Sequence, residues 1–139
     1  MANLTQQMYE LIEKILDITR KQRVSYRLRP QREAVLKYLA LYPDGVNPSQ
    51  IADALGLARP AVTSMITVME EEGLLTRTMN KTDKRRMDVV ITAEGMEQKE
   101  ELVAESQKNA AALVKYLGES DAADFLRIMA KVEKFMETK

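Results

Sequence analysis

Residues Pro48 to Thr67, PSQIADALGLARPAVTSMIT, decide the fold. Asn47, Pro48 and Gln50 form a helix start. Asn47 caps, Pro48 gives up an amide that lacks a helical partner there, and Gln50 reaches back to the cap. The helix is short and ends at Gly56, which takes a positive φ without steric cost. A second helix begins near Pro60, carries Val62, Met65, Ile66 and Met69 as its apolar stripe, and stops at Gly73. Counting Pro48 as one, small Ala52 falls at five and Gly56 at nine. Ile51, Leu55, Leu57, Val62 and Met65 fall at four, eight, ten, fifteen and eighteen. Two helices that cross steeply need a small residue at the crossing, a tight turn, and apolar residues that join the pair to a core. Those needs describe a helix-turn-helix, a unit that places its second helix in the major groove of duplex DNA.

Downstream of Gly73 the apolar period changes from helical to alternating. Leu75, Arg77 and Met79 alternate with Leu74, Thr76 and Thr78; Met87, Val89 and Ile91 alternate with Asp88, Val90 and Thr92. Two short strands joined by Asn80 to Arg86 make a hairpin with a polar, basic tip. Thr92 caps a helix that runs to about Leu117. Gly118 breaks it, and Ser120 is expected to cap a last helix with the stripe Phe125, Leu126, Met129, Val132 and Met136. Upstream, Leu4, Met8, Leu11, Ile12, Ile15, Leu16 and Thr19 recur at steps of three and four, the mark of an amphipathic helix. A polar, arginine-rich stretch follows from Lys21 to Arg29. Pro30 suits the first turn of the next helix, which buries Val35, Leu36, Leu39 and Ala40 before the turn at Tyr42 to Gly45. The expected fold class is mainly α, an α+β winged helix: six helices with a two- or three-stranded wing hairpin, and long amphipathic helices at both ends.

Formal net charge is zero, with 21 basic and 21 acidic residues, so overall charge does not point to nucleic acid. Position says more. Arg20 to Arg32 holds six basic residues and no acid; Arg77 to Asp88 holds five bases and two acids. From Glu94 onward there are ten acids against seven bases. The chain has no cysteine and no histidine. Disulfides, thiol redox chemistry, zinc sites and histidine-based catalytic pairs are therefore excluded within it. No glycine-rich phosphate loop, paired-carboxylate site or nucleophile–base pair is visible, so an enzyme is not expected, nor a cofactor or metal. No apolar run reaches the length of a membrane span. The polar start MANLTQQMYEL is not read as a secretory signal, and a cytoplasmic location is expected.

The matches to one family stand in order along the chain. LRPQREAVLKYL (Leu28 to Leu39), SQIADALGLARPAVTSMITVMEEEGLLTR (Ser49 to Arg77) and TDKRRMDVVITAEG (Thr82 to Gly95) resemble the second helix, the helix-turn-helix and the wing of the MarR family of transcriptional regulators. Asp83-x-Arg85 followed by Ile91-Thr92-x-x-Gly95 is the most specific element. The resemblance implies three segments: an N-terminal dimerisation helix over 1–27, a winged helix-turn-helix DNA-binding domain over 28–92, and C-terminal dimerisation helices over 93–139. It implies a homodimer on double-stranded DNA, at a pseudo-palindromic operator. It also implies a repressor released by a small effector, such as an aromatic anion bound between the two regions. The alternative is a winged-helix module for protein interaction, or constitutive DNA binding without an effector. It further implies a recognition helix from about Pro60 to Glu72, and Arg85 in the minor groove, held by Asp83.

Individual residues follow from this reading. Thr63, Ser64 and Thr67 lie opposite the apolar stripe, where hydroxyls bond base edges or phosphates and a threonine methyl touches thymine. Family members often carry Arg or Lys where this chain has Ser64, and they cap this helix with Ser, Thr or Asp. Here Arg59 precedes Pro60, so Arg59 is expected to supply the cation. Lys81, Lys84, Arg85 and Arg86 at the hairpin tip suit phosphates or a narrow minor groove. Arg77 and Asp83 are expected to pair across the wing base and so aim Arg85. Tyr9, Arg20, Tyr26 and Tyr38 are the candidates for an anionic ligand.

Overall fold

A computed structural model describes residues 3–21 and 24–139, with side chains described at 3–21 and 31–139. Among the described residues the order is α1 (Leu4–Lys21), α2 (Val24–Leu41), α3 (Pro48–Leu55), α4 (Arg59–Glu71), β1 (Leu75–Met79), β2 (Met87–Ile91), α5 (Ala93–Leu117) and α6 (Glu119–Glu137). Asn3 opens α1 by accepting the Thr5 amide at 3.0 Å. Asn47 opens α3 with both halves of a capping box: its Oδ1 accepts from the Gln50 amide, and its own amide donates to Gln50 Oε1, each at 2.9 Å. Thr92 opens α5 by accepting the Gly95 amide at 3.0 Å while donating to the Gly73 carbonyl at 2.6 Å.

The chain divides into two compact units, Met1–Lys99 and Glu100–Lys139. The core of the first is Val35, Leu36 and Leu39 of α2, Ile51 and Ala52 of α3, Val62, Ile66 and Met69 of α4, and Val46, Leu74, Leu75 and Val89. Each fully buried aliphatic side chain among them contributes about 1.5–3 kcal/mol relative to exposure. In the second unit Leu102 and Ala122 are buried. The strands pair antiparallel, from Leu75 opposite Ile91 to Met79 opposite Met87. Val46 adds an isolated bridge to Val89, with N–H to O distances of 3.1 and 2.7 Å. The wing is thus two-stranded with one bridged residue.

Two expected helix starts are corrected. Pro30 does not begin α2; the helix starts at Val24 and runs through it. Proline has no amide to give the carbonyl four residues back, so the helix continues with one ladder bond fewer. Ser120 does not cap α6 either. Gly118 occupies the cap position without a side-chain bond, and Ser120 lies inside the helix. The left-handed turn at Gly118 (φ 86°) already redirects the chain, so the helix starts one residue after it.

Candidate nucleic-acid interface

The turn between α3 and α4 sets the interface. Ala52 is 3% exposed. Its carbonyl accepts the Gly56 amide, which closes the helix with Gly56 at φ 64°, and the Leu57 amide at 3.0 Å. The chain bends by 118° from α3 to α4, within the range that helix-turn-helix pairs use. Ala58 holds the cap position of α4 without a side-chain bond, and Arg59 and Pro60 form its first turn, both exposed. With Val62, Ile66 and Met69 buried, Thr63, Ser64 and Thr67 are left on the exposed side. Thr63 Oγ1 donates to the Arg59 carbonyl at 3.0 Å, and Thr67 Oγ1 donates to the Thr63 carbonyl at 3.0 Å. Their hydroxyl protons are therefore committed to the helix, and lone pairs and methyl groups are what they offer outward.

The end of this helix is acidic, and two arginines from other elements engage it. Arg32 of α2 makes a bidentate pair with Glu72, at 2.5 and 3.0 Å. This hydrogen bond holds the Glu72 carboxyl below its ordinary range, against a smaller opposing effect of burial. Arg77 of β1 donates from its guanidinium to Thr67 Oγ1 at 2.6 Å and lies 3.7 Å from Glu70 Oε1; its amide donates to Glu70 Oε2 at 3.1 Å. The expected Arg77–Asp83 pair is thus replaced by Arg77–Glu70. Arg77 shares a face with buried Val89, its register partner, and that face turns to α4 rather than to the tip. These contacts fix α4 against both α2 and the wing.

The tip is built by Asn80 and Asp83. Asn80 Oδ1 accepts the amides of Thr82 and Asp83 at 2.9 and 2.8 Å, and its Nδ2 donates to Asp88 at 2.8 Å. Asp83 Oδ1 accepts the Arg85 amide at 3.0 Å and lies 3.3 Å from Arg85 Nε. Arg85 is nonetheless 92% exposed, and Lys81, Lys84 and Arg86 are exposed beside it. Asn80, Asp88, Glu70 and the Arg32–Glu72 pair were not singled out from the sequence. Only Asn80 carried a local signal, the preference of Asn for turns in which it accepts from the amide two residues on.

The ligand candidates Tyr9, Arg20 and Tyr38 each lie among the described residues. Tyr9 is exposed on α1, Arg20 lies 3.6 Å from Asp17, and Tyr38 meets Tyr42 with ring centroids 5.0 Å apart. Tyr26 lies outside the residues whose side chains are described. A cavity of about 350 Å³ sits between α2 and α4, lined by Gln31, Arg32, Ala61, Ser64, Met65, Val68 and Met69.

Residues 31–86, which span α2 to the wing tip, match the MarR family. Over 90 residues the chain is 32% identical to the HTH-type transcriptional repressor MdtR of Bacillus subtilis, covering 65% of this chain and 58% of that one. By this stretch, the chain is similar to the MarR family. Its alignments with curated relatives span less than three fifths of their length, 58% and 57%. The likeness in fold extends beyond the matched stretch. The structure superimposes on the YusO protein of Bacillus subtilis with a TM-score of 0.73 and 25% identity, covering 96% of this chain and 99% of that one. It also matches MepR of S. aureus, solved as a DNA complex, with a TM-score of 0.66 and 22% identity over 92% and 97% of the chains. Among the described residues, no single helix is long and apolar enough to cross a membrane.

Proposed function

We propose that this chain is a cytoplasmic, non-enzymatic transcriptional regulator that binds double-stranded DNA as a homodimer and acts as a repressor released by a small ligand. The observation that carries the reading is the pairing of two exposed surfaces in one unit. The Thr63–Ser64–Thr67 face of α4 is tied through Arg77 to β1 of a hairpin, and at the hairpin's tip Asp83 holds an exposed Arg85. Hydroxyls and methyls suit base edges in the major groove, and an outward guanidinium suits the negative potential of the minor groove. Arg59, Pro60, Lys81, Lys84 and Arg86 complete the DNA-facing set. The repressor MdtR and the MepR–DNA complex fit this role.

Dimerisation is assigned to the segments 1–27 and 93–139. In support, Leu4, Met8, Leu11, Ile12, Ile15 and Leu16 of α1 are exposed in the single chain, as are Phe125, Leu126, Met129, Val132 and Met136 of α6. Apolar faces of that extent mark association surfaces. The ligand is assigned to the α2–α4 cavity. Its lining joins apolar Met65, Val68 and Met69 to Arg32, whose guanidinium also holds Glu72, so an aromatic ligand that stacks on apolar groups suits it. Fluorescence anisotropy with a mixed-sequence duplex tests the reading. Binding is expected with two chains per duplex, falling steeply as salt rises from about 50 to 200 mM. No binding at the lowest salt, or binding indifferent to salt, contradicts it.

A further inference from the structure

Resting on the DNA-binding reading above, we propose that Met79 and Met87 form an apolar saddle on the wing. It packs against the deoxyribose edge of one DNA strand, between the groove entered by α4 and the groove reached by the tip. The two methionines are register partners across the hairpin, so their side chains leave the same face with Cβ atoms about 5 Å apart. Side chains alternate along a strand, so that face also carries Leu75 and Arg77. Leu75 is in the core, and Arg77 is fastened to Thr67 and Glu70 of α4. Followed outward, the face runs from the core, past the hydroxyl-bearing side of α4, to the methionine pair. The chain then turns through Lys81, Lys84, Arg85 and Arg86.

Met79 is 58% exposed and Met87 46%. They are large apolar groups without cover, on a strand end where charged or polar residues usually blunt an edge. The cationic tip beside them selects a polyanion as occupant. A duplex that meets both α4 and the tip runs its backbone across the ground between them. What a backbone presents there, between phosphates, is the C–H edge of the sugar. Unbranched thioethers adapt to such a ridge. The contact is apolar, so it adds affinity for any sequence without releasing counterions.

Anisotropy of the full chain on a fluorescent mixed-sequence duplex, read over a salt series, tests this. M79Q/M87Q is expected to lose about tenfold in affinity with its salt slope kept, and M79L/M87L to stay within about threefold of wild type. Hydroxyl-radical footprinting gives a second readout, because the radical attacks deoxyribose. The wild type and the leucine variant are expected to protect the sugars between the two grooves. The glutamine variant is expected to lose that protection alone. Unchanged affinity, unchanged sugar protection or a reduced salt slope in M79Q/M87Q overturns the proposal. If that variant does not fold, M87Q alone carries the same comparison. A wild-type chain that binds no duplex overturns the DNA-binding reading and the saddle together. Wild-type binding with an indifferent glutamine variant overturns the saddle only.

Discussion

Arg85 and its own amide both meet the Asp83 carboxylate, yet its side chain is 92% exposed. An exposed pair of this kind stabilises the fold by little; its effect is to restrict where the guanidinium points. Arg85→Ala is expected to weaken DNA binding and lower the slope of log K against log salt by about one unit. An unchanged slope removes Arg85 from the groove- or phosphate-contacting set. Thr63 commits its hydroxyl proton to the Arg59 carbonyl, so its methyl and lone pairs are what it offers outward. Thr63→Ala is expected to blunt the difference between specific and random duplexes more than it lowers affinity for random DNA. Equal losses on both place Thr63 away from base edges. Glu72 is a stability group. The Arg32 hydrogen bond depresses its folded pKa, so its contribution is present above the ordinary glutamate value. That contribution is lost as pH falls from there through the lowered one. The gap in melting temperature between wild type and Glu72→Gln is therefore expected to be widest near neutral pH and to close in acid. A gap independent of pH contradicts the assignment.

At the scale of elements, the junction of wing and α5 is set by Gly95. A Cβ added there would lie 2.1 Å from the Leu74 carbonyl oxygen and 2.7 Å from Ile91 Cγ1. Gly95→Ala is expected to destabilise the chain by about 1–3 kcal/mol, as overpacking does. A chemical-denaturation midpoint equal to wild type excludes that close approach. The helix-turn-helix was legible because each signal is local. Asn47 and Gln50 lie three residues apart, Ala52 sits at the crossing, and Gly56 takes the one backbone conformation that other residues resist. Pro30 misled for the same reason. A proline marks a helix start only as a preference, and α2 extends six residues upstream of it. The hairpin's strands were legible from their alternation. Its internal wiring was not, since whether Arg77 turns to Asp83 or to Glu70 depends on which face of β1 meets α4. That is tertiary information, and so is the pairing of Arg32 with Glu72 across forty residues.

At the scale of the molecule, a net charge of zero conceals a separation. The bases at the wing tip point outward, while two of the three acids ending α4 are engaged by Arg32 and Arg77. This reduces the repulsion that a run of three glutamates beside a DNA-reading face would otherwise exert. On the proposed function, attraction concentrates on the wing, and α4 contributes contacts of shape and hydrogen bonding. The amphipathic stripes of the terminal helices were also read from the sequence, as period and composition. Their exposure in the single chain is what supports the proposal that they meet a second copy. The proposed dimer, with two recognition units about one axis, requires a binding site with matching symmetry. Selection of bound duplexes from a random library, followed by sequencing, tests this most directly. The predicted result is an enriched inverted repeat with half-site centres about 10 base pairs, one helical turn, apart. A solitary half-site, or no enrichment over the input library, contradicts it.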